Sequence, residues 1–224
     1  MLSIVVPAYN EEDKIASTLG ALLGYFKDTE IIVVSDGNDN TGRIVDALAS
    51  RNKSIRLIEY GKRQGKGKAV IEGIKAARGD KILFADADLS CQPSEISKLV
   101  HALDDYDVAV ASRLHPDSKV KSNFKRNLLG RGFALLVRIL FNLRLRDTQC
   151  GFKAFRSNAV KPTAENFNTD GFAFDVELLL KLKKRGASIV EIPVVWEQND
   201  SSKVSYRSMV KMFFDLLHLR FSML

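Results

Sequence analysis

Short apolar runs alternate along the first half of the chain with stretches whose apolar residues repeat every three to four positions. The apolar runs are typical of buried strands, and they cover Leu2–Val6, Glu30–Ser35, Ile55–Tyr60 and Lys81–Asp88. The stretches between them are typical of amphipathic helices. This alternation predicts an α/β fold with a doubly wound, mostly parallel sheet, whose ligands bind at the carboxyl ends of the strands.

The last of these strands ends in two carboxylates, Asp86 and Asp88, which are separated by one alanine. Because side chains alternate along a strand, we expect both acids to project on the same side of the sheet edge. Clustered carboxylates suit a hard cation such as Mg²⁺ or Mn²⁺, which also takes oxygens from substrate phosphates. The alternative is that the acids belong to the turn before the helix that Pro93 opens.

Polar residues also follow the other predicted strands. Glu11 follows the first strand, where Asn10 is the predicted N-cap of the next helix, and Asp36 follows the second. After the third strand, Gly65-Lys66-Gly67 combines backbone that can approach a phosphate with positive charge at a helix N-terminus. The turn has neither the Walker spacing nor the dinucleotide fingerprint. Together with the acid pair, these features predict a nucleotide site.

Composition narrows the class of protein and of partner. The chain has 224 residues, 46% of them hydrophobic, and a formal net charge of +7, which favours anionic partners such as nucleotides, phospholipid head groups or nucleic acid. Cys91 and Cys150 lack metal-ligand spacing, so we expect free thiols in a reducing compartment. The first residues have no basic region before the apolar run, so we expect no signal peptide. No long window lacks charge, so we expect no membrane-spanning helix.

Two segments in the second half combine apolar residues with lysines and arginines at helical spacing. One runs from Phe124 to Arg146 and the other from Met209 to Leu224. This composition is typical of helices that lie in the membrane interface, with the apolar face among acyl chains and the basic residues on lipid phosphates. The alternative is that the first segment is a core helix with solvated basic residues. Two interfacial helices would form a platform for a lipid substrate.

In this order, four motifs resemble those of the family-2 glycosyltransferases, which are inverting enzymes with the A-type nucleotide-diphospho-sugar-binding fold. The motifs are Val6-Pro7-Ala8-Tyr9-Asn10-Glu11, Val34-Ser35-Asp36-Gly37-Asn38-Asp39, Gly65-Lys66-Gly67 and Asp86-Ala87-Asp88. The resemblance implies that residues 1–115 bind the nucleotide sugar. The residues implied at the donor are Pro7, Tyr9, Glu11, Asp36, Lys66, Gly67, Asp86 and Asp88, with Asp86 and Asp88 also at the Mg²⁺ or Mn²⁺ ion.

Motifs in residues 116–224 are similar to those of the dolichyl-phosphate sugar synthases, and closer to the glucose than to the mannose enzymes. They are Asp147-Thr148-Gln149-Cys150-Gly151-Phe152-Lys153-Ala154-Phe155, Phe174-Asp175-Val176-Glu177 and Glu191-Ile192-Pro193-Val194-Val195-Trp196. The mannose enzymes usually place a glutamine ligand where this chain has Ser90. This similarity implies UDP-glucose, or next GDP-mannose, as donor, and dolichyl or another polyprenyl phosphate as acceptor. Arg126, Ser202 and Lys203 would grip the acceptor phosphate, unless residues 201–205 are only a polar linker.

The implied reaction is in-line attack of a polyprenyl-phosphate oxygen on the anomeric carbon, with inversion and departure of the nucleoside diphosphate. Arg113, which ends the predicted strand Val108–Ser112, and Lys66 would neutralise the leaving diphosphate beside the metal on Asp88. A phosphate acceptor needs no strong general base. An enzyme that extends a glycan needs a carboxylate base, for which Asp147, Asp175 and Glu177 are candidates. Asp175 and Glu177 are equally suited to stabilising the helix N-terminus that they open.

The non-enzyme alternative is a basic nucleic-acid-binding module. We expect no nucleic-acid partner, because such a surface gives no reason for an acid pair beside a glycine-lysine turn at strand ends. The resemblance instead implies a peripheral protein on the cytoplasmic face of a membrane, and it leaves open a separate membrane-anchoring subunit.

Overall fold

The computed structural model of the chain describes residues 1–121, 124–165, 167, 169, 171, 173–197 and 206–222. Within these ranges, the side chains of residues 124–129, 206–211 and 222 are outside the description. Arg126 therefore enters only as helix backbone. Ser202 and Lys203, the other two residues predicted at the acceptor phosphate, lie outside the described residues.

Strands and helices alternate through the first half of the chain, as the apolar pattern predicts. The strands are β1 (Leu2–Ala8), β2 (Thr29–Ser35), β3 (Ile55–Glu59), β4 (Lys81–Ala85), β5 (Val108–Ser112), β6 (Lys119–Lys121), β7 (Phe152–Arg156), β8 (Ile189–Pro193) and β9 (Val195–Glu197). The helices are α1 (Ile15–Tyr25), α2 (Thr41–Arg51), α3 (Lys66–Ala76), α4 (Pro93–Ala102), α5 (Phe124–Phe141), α6 (Ser157–Val160), α7 (Phe174–Lys184) and α8 (Tyr206–Ser222), with a 3₁₀ turn at Lys161–Thr163.

Seven of the strands form one sheet in the order β3-β2-β1-β4-β7-β5-β8. All neighbours in it are parallel except β7, which runs antiparallel to both β4 and β5. The prediction of a mostly parallel α/β sheet is therefore confirmed. β6 and β9 pair in parallel outside this sheet.

Helices cover both faces of the sheet, and each face has its own apolar core. On one face, α1, α2 and α4 pack against side chains such as Leu83 and Phe152. On the other, α3, α5, α7 and α8 pack against side chains such as Phe84 and Phe155. The central strands are buried on both faces, which explains their continuous apolar runs.

Three predicted boundaries, two near the sheet edge and one in α5, differ from the observed ones by three residues or more. The prediction of Asn10 as an N-cap is wrong: α1 begins at Ile15, and Asn10 adopts a left-handed φ of 54°. Its Oδ1 accepts a hydrogen bond from the backbone N–H of Asn38, 2.9 Å away, so this side chain joins two loops at the sheet edge. β4 ends at Ala85, so the two acids lie in the turn after the strand. The helix predicted over Phe124 to Arg146 ends at Phe141, and residues 142–146 continue as a loop.

The two basic amphipathic segments form α5 and α8, which contact each other on one face of the sheet. Each helix buries part of its apolar surface there, through Val137 of α5 and through Leu216 and Leu219 of α8. Other large apolar side chains face outward on the same two helices; these are Leu135, Ile139, Phe213, Phe214 and Phe221. Within the described residues, neither these nor the other helices combine the length and apolar composition needed to cross a bilayer.

Candidate active site

The direction of β7 brings the second half of the chain to the edge where the parallel strands end. In its register with β4, Phe152 pairs with Ala85 and Lys153 with Phe84. The amino end of β7 therefore lies beside the carboxyl end of β4, and the preceding loop, Asp147 to Gly151, meets Asp86. The residues predicted at the donor and the candidate base Asp147 thus share one edge of the sheet.

Asp86 is held from two sides at this edge. The ammonium nitrogen of Lys66, the first residue of α3, lies 2.8 Å from Asp86 Oδ1. The backbone N–H of Asp86 donates to the carbonyl oxygen of Gly151 at 3.0 Å. A Cβ at position 151 would lie 1.8 Å from Asp86 Oδ2, so only glycine leaves room for the carboxylate in this orientation.

Asp88 lies two residues further along the same turn. Its Oδ1 accepts hydrogen bonds from the backbone N–H and the hydroxyl of Ser90, at 3.1 Å and 2.9 Å. Burial alone would lower the pKa of Lys66, but Asp86, Asp175 and Asp88 outweigh burial and hold that pKa above its ordinary value. The two acids of the Asp-Ala-Asp motif therefore both act on Lys66, although both lie beyond the end of β4.

Asp36 holds the glycine-lysine turn in place. Its Oδ2 accepts from the backbone N–H groups of Gln64 and Gly65, at 2.9 Å and 2.8 Å. Gly65 has a φ of 98°, a conformation that favours glycine, and α3 begins at the next residue. Because Asp36 is buried in making these bonds, it also supports the loop that carries Lys66 and the buried Gly67.

The residues predicted at the nucleotide base lie at the end of β1 and in the loop after it. Pro7 is within β1, opposite Val34 of β2. The backbone N–H of Glu11 donates to Thr41 Oγ1 at 2.8 Å, which joins this loop to the start of α2. The guanidinium of Arg63 lies 4.2 Å from the centroid of the Tyr9 ring. Arg63 precedes the glycine-lysine turn, and no sequence motif indicated this contact.

Arg113 follows β5 and forms a two-point ion pair with Asp147. Its Nε and Nη2 donate to Asp147 Oδ2 and Oδ1 at 2.7 Å and 3.0 Å, and its backbone N–H donates to Oδ2 at 3.0 Å. Burial would raise the pKa of Asp147, but Arg113 outweighs it and holds this pKa below the ordinary value. The Trp196 ring lies under the guanidinium, 5.6 Å from its centroid. The ion pair thus fixes the positively charged guanidinium of Arg113 at the strand ends.

The loop that carries Asp147 is fixed by Glu191 of β8. Glu191 Oε1 accepts from the backbone N–H groups of Arg146 and Asp147, at 2.8 Å and 3.1 Å. This contact sets where Asp147, and through it Arg113, stands relative to β5.

The other two candidate carboxylate bases are buried and ion-paired. Asp175 Oδ1 lies 2.5 Å from the ammonium nitrogen of Lys153. Glu177 lies 2.8 Å from Lys181 and also accepts from the backbone N–H and the hydroxyl of Thr169, at 2.9 Å and 2.6 Å. Burial raises the pKa of Asp175 and outweighs the opposing effects of Lys153 and Lys66. Both carboxylates therefore have structural partners inside the protein.

The donor set at this edge fits a divalent cation that is shared with a substrate. Asp86 and Asp88 supply hard oxygen atoms in one turn, as Mg²⁺ and Mn²⁺ require. Among the described residues, no group of three histidine, cysteine or acidic side chains could hold a metal ion. A metal here would therefore need oxygens from a bound diphosphate in addition to the two carboxylates.

Sequence reasoning found the residues that follow parallel strands and missed those that support them. Lys66, Asp86, Asp88 and Arg113 lie at the predicted edge. Gly151 and Lys153 were visible only as parts of a motif, because their contacts depend on how β7 pairs with β4. The thiols of Cys91 and Cys150 are both buried and unbonded to each other, as expected. Burial raises the pKa of Cys150 to about 12, so this thiol is neutral at physiological pH.

Two relatives match nearly the whole chain. The dolichyl-phosphate beta-glucosyltransferase of Homo sapiens is 36% identical over 241 residues, which cover 98% of this chain and 74% of that protein. The protein of the same name from Saccharomyces cerevisiae is 33% identical over 251 residues, covering 100% of this chain and 75% of that protein.

Solved structures agree on the fold. Glucosyl-3-phosphoglycerate synthase from Mycobacterium tuberculosis, in complex with Mn²⁺ and UDP-glucose, superimposes with a TM-score of 0.73 at 20% identity, covering 98% of this chain and 78% of that one. This is the glycosyltransferase A-type fold that the sequence motifs implied. A model of the family described as Glycosyl transferase family 2 matches residues 3–163, which include β1 except for Leu2, β2 to β5, the acid pair and the loop from Asp147 to Gly151. The chain therefore belongs to glycosyltransferase family 2.

Proposed function

We propose that this protein transfers glucose from UDP-glucose to dolichyl phosphate, with inversion at the anomeric carbon. The observation that carries the choice of acceptor is the state of the three candidate bases. Asp147, Asp175 and Glu177 are each ion-paired to a cation and buried. A sugar hydroxyl would need a base, whereas a phosphate with a second pKa of about 6 is already nucleophilic at neutral pH. This favours a phosphate acceptor over an acceptor that is a growing glycan.

The relatives support the sugar and the lipid. The human and yeast proteins named dolichyl-phosphate beta-glucosyltransferase match nearly the whole chain. UDP-glucose as the donor is supported by the M. tuberculosis synthase of the same fold, which was solved with Mn²⁺ and UDP-glucose. In the proposed complex, residues 1–115 hold the donor, with the base near Pro7, Tyr9, Glu11 and Asp36. Residues 116–224 supply the acceptor side.

The diphosphate of the donor would lie between Lys66 at the N-terminus of α3 and the acid pair. Asp88, together with Asp86, would hold Mg²⁺ or Mn²⁺ against the diphosphate oxygens. The bound ion would neutralise charge on the leaving group. Lys66 would exchange its contact with Asp86 for a phosphate oxygen, and the N-terminus of α3 would add its own positive potential.

Arg113 would provide the second fixed cation. A guanidinium has five N–H donors, more than Asp147 uses, so Arg113 can bind Asp147 and a phosphate at the same time. The acceptor phosphate oxygen would then attack the anomeric carbon from the side opposite the diphosphate, and the bond to UDP would break in line. Asp147 serves to hold and orient Arg113, because its lowered pKa makes it a weak base.

The outward face of α5 and α8 would meet the membrane. Leu135 and Ile139 lie one turn apart on α5 and are 58% and 71% exposed, and Phe221 on α8 is 74% exposed. Arg131 and Arg138 are also exposed on α5, where they can reach lipid phosphates. Free buried thiols support a reducing compartment, so we place the protein peripherally on the cytoplasmic face. A separate anchoring subunit is compatible with this surface.

The test is transfer of radiolabelled hexose into an organic-extractable product. UDP-glucose and GDP-mannose are supplied separately, each with dolichyl phosphate and Mn²⁺ or Mg²⁺. We expect label in the organic phase from UDP-glucose and little from GDP-mannose. Label in the organic phase from GDP-mannose alone would refute UDP-glucose as the donor. No organic label from either, despite UDP binding by calorimetry, would refute the lipid acceptor.

A further inference from the structure

An arginine that no sequence motif indicated lies on the ring of Tyr9. Arg63 is in the loop between β3 and α3, and its guanidinium lies 4.2 Å from the centroid of the Tyr9 ring. This distance is well inside the range of about 6 Å over which a guanidinium is attracted to an aromatic face. Arg63 is exposed and Tyr9 is half-buried. One face of the Tyr9 ring is therefore covered by a side chain that reaches it from the solvent.

Asp36 fixes the backbone beside both residues. Its backbone N–H donates to the carbonyl oxygen of Ala8, the residue before Tyr9, at 3.2 Å. Its Oδ2 accepts from the backbone N–H of Gln64, the residue after Arg63, at 2.9 Å. The contact between Arg63 and Tyr9 is therefore built around a buried carboxylate, in the place that the proposed function gives to the base of the donor.

The guanidinium of Arg63 is not itself held by polar contacts. Among the residues that the structure describes, no carboxylate or carbonyl oxygen forms a hydrogen bond or ion pair with it. Arg113 differs in this respect, because two of its nitrogen atoms donate to Asp147. The Arg63 side chain can therefore leave the Tyr9 ring without breaking a hydrogen bond, while its neighbour Gln64 keeps the loop backbone in place.

A flat cation beside a flat ring suits a nucleobase. Unpaired bases are held in proteins by stacking on aromatic rings and on the planes of arginine guanidinium groups. The ammonium group of a lysine offers charge but no such plane. The pair of Tyr9 and Arg63 therefore provides two flat groups, one fixed and one movable, between which a base can be enclosed.

We propose that Arg63 is a binding residue for the base of the donor nucleotide. The uracil ring stacks on the face of Tyr9 that Arg63 covers in the free protein, and the guanidinium moves onto the outer face of the uracil. Its separation from the Tyr9 ring then grows from 4.2 Å to about 7 Å, which is two stacking distances. This inference rests on the proposed function, in which Tyr9 and Asp36 lie at the base. Arg63 contributes to donor affinity and does not touch the reacting atoms.

The test separates the contribution of a flat surface from that of a charge. Arg63→Ala removes both, Arg63→Lys keeps the charge, and Arg63→Tyr keeps a flat surface. Lys62→Ala is the matched control, because Lys62 is an exposed cation in the same loop and contacts Gln64 only through its backbone carbonyl oxygen. Since both positions are exposed, we expect every variant to melt within about 2 °C of the wild type.

The readouts are the UDP dissociation constant by calorimetry and the kinetic constants for UDP-glucose. We expect UDP to bind about tenfold more weakly to the Arg63→Ala and Arg63→Lys variants, as when a stacking side chain is removed, and within about threefold of wild type to the Arg63→Tyr variant. KM for UDP-glucose should rise with the dissociation constant while kcat stays within about twofold, because the base is bound alike in the ground state and the transition state. Lys62→Ala should change neither constant.

Three results would each overturn the inference. Wild-type UDP affinity in the Arg63→Ala variant would show that the arginine does not contact the bound base. Tighter binding by that variant would show that the guanidinium only blocks the Tyr9 face. Weak binding by the Arg63→Tyr variant would exclude stacking, and full affinity in Arg63→Lys beside it would assign the arginine to a phosphate.

These outcomes leave the proposed function intact as long as the wild-type protein transfers glucose from UDP-glucose. Failure of the wild-type protein to bind UDP is the different outcome that overturns the proposed function, and this inference with it.

Discussion

Gly151→Ala tests whether the position of the Asp86 carboxylate matters to the reaction. The added Cβ would lie 1.8 Å from Asp86 Oδ2 and 2.3 Å from Cγ. Ordinary contact begins at 3.4 Å, so Oδ2 must shift by about 1.6 Å, away from β7. The backbone can accept alanine, because residue 151 is not among the glycines with a positive φ. The perturbation is therefore confined to the Asp86 carboxylate and to Lys66, which it contacts.

A shift of this size removes Oδ2 from its position 3.1 Å from the Lys66 ammonium nitrogen and displaces one of the two proposed metal ligands. Misplacement of a catalytic group by about 1 Å can cost about 100-fold in rate. We therefore expect kcat/KM for UDP-glucose to fall by about 100-fold, which corresponds to about 2.7 kcal/mol of transition-state stabilisation. The melting temperature should change little, because the clash involves one partly exposed side chain.

The assay is transfer of labelled glucose to dolichyl phosphate at several donor concentrations, with melting temperatures measured on the same samples. Gly20→Ala is the control for the substitution itself, because a Cβ at position 20 of α1 meets nothing within 4 Å. That variant should keep full activity and gain up to about 1 kcal/mol of stability. Wild-type kinetics in a folded Gly151→Ala protein would refute the reasoning, because the precise position of Asp86 would then be irrelevant to turnover.

Three further changes test other parts of the site. Asp88→Ala should lower kcat by at least about 10²- to 10³-fold. EDTA should abolish the activity of the wild type until Mn²⁺ or Mg²⁺ is restored. Full activity in either test would exclude the proposed metal role. Asp147→Asn leaves Arg113 without its charged partner and should destabilise the fold by about 3 kcal/mol at neutral pH. Since the pKa of Asp147 lies below its ordinary value of 3.8, the stability from its charge is complete above that pH and is lost as the pH falls through the lowered pKa. Urea titrations at pH 7 and pH 3 should therefore show a smaller difference between variant and wild type at the acid pH; an equal difference would contradict the charge assignment. Leu135→Glu combined with Ile139→Glu should release the protein from anionic vesicles in flotation experiments and leave UDP affinity unchanged; continued flotation would show that this face does not meet the membrane.

The sequence indicated those parts of the site that depend on local order along the chain. Asp36, Asp86 and Arg113 could be placed because each directly follows an apolar strand, and parallel strands end at one edge. The position of Asp88 could be given only approximately, because β4 ends three residues earlier and the turn, not strand alternation, orients this side chain. Its contact with Ser90 comes from that turn.

The remaining contacts depend on pairings between distant parts of the chain. Gly151 and Lys153 reach the site because β7 inserts between β4 and β5. No local sequence pattern predicts an antiparallel strand within a series of parallel ones. The same applies to Arg63 on Tyr9. Asn10 was predicted as a helix cap from its residue type and its position before a helical pattern. Its side chain instead accepts a hydrogen bond from the backbone N–H of Asn38. Residue type predicted which groups are polar, whereas the choice of partner was set by topology.

The reversed strand also dictates the order in which the sheet can be completed as the chain leaves the ribosome. β1 to β4 can pair with one another as soon as they are made, but β5 has only β7 and β8 as neighbours in the sheet. β5 must therefore wait, exposed and apolar, until Phe152–Arg156 emerges some forty residues later. A nascent chain with β1 to β4 folded would present Lys66 and Asp86 without Gly151, Asp175 or a settled Arg113. Closure of the sheet by β7 is thus the step that brings Asp86, Gly151 and the pair of Arg113 and Asp147 together at one edge.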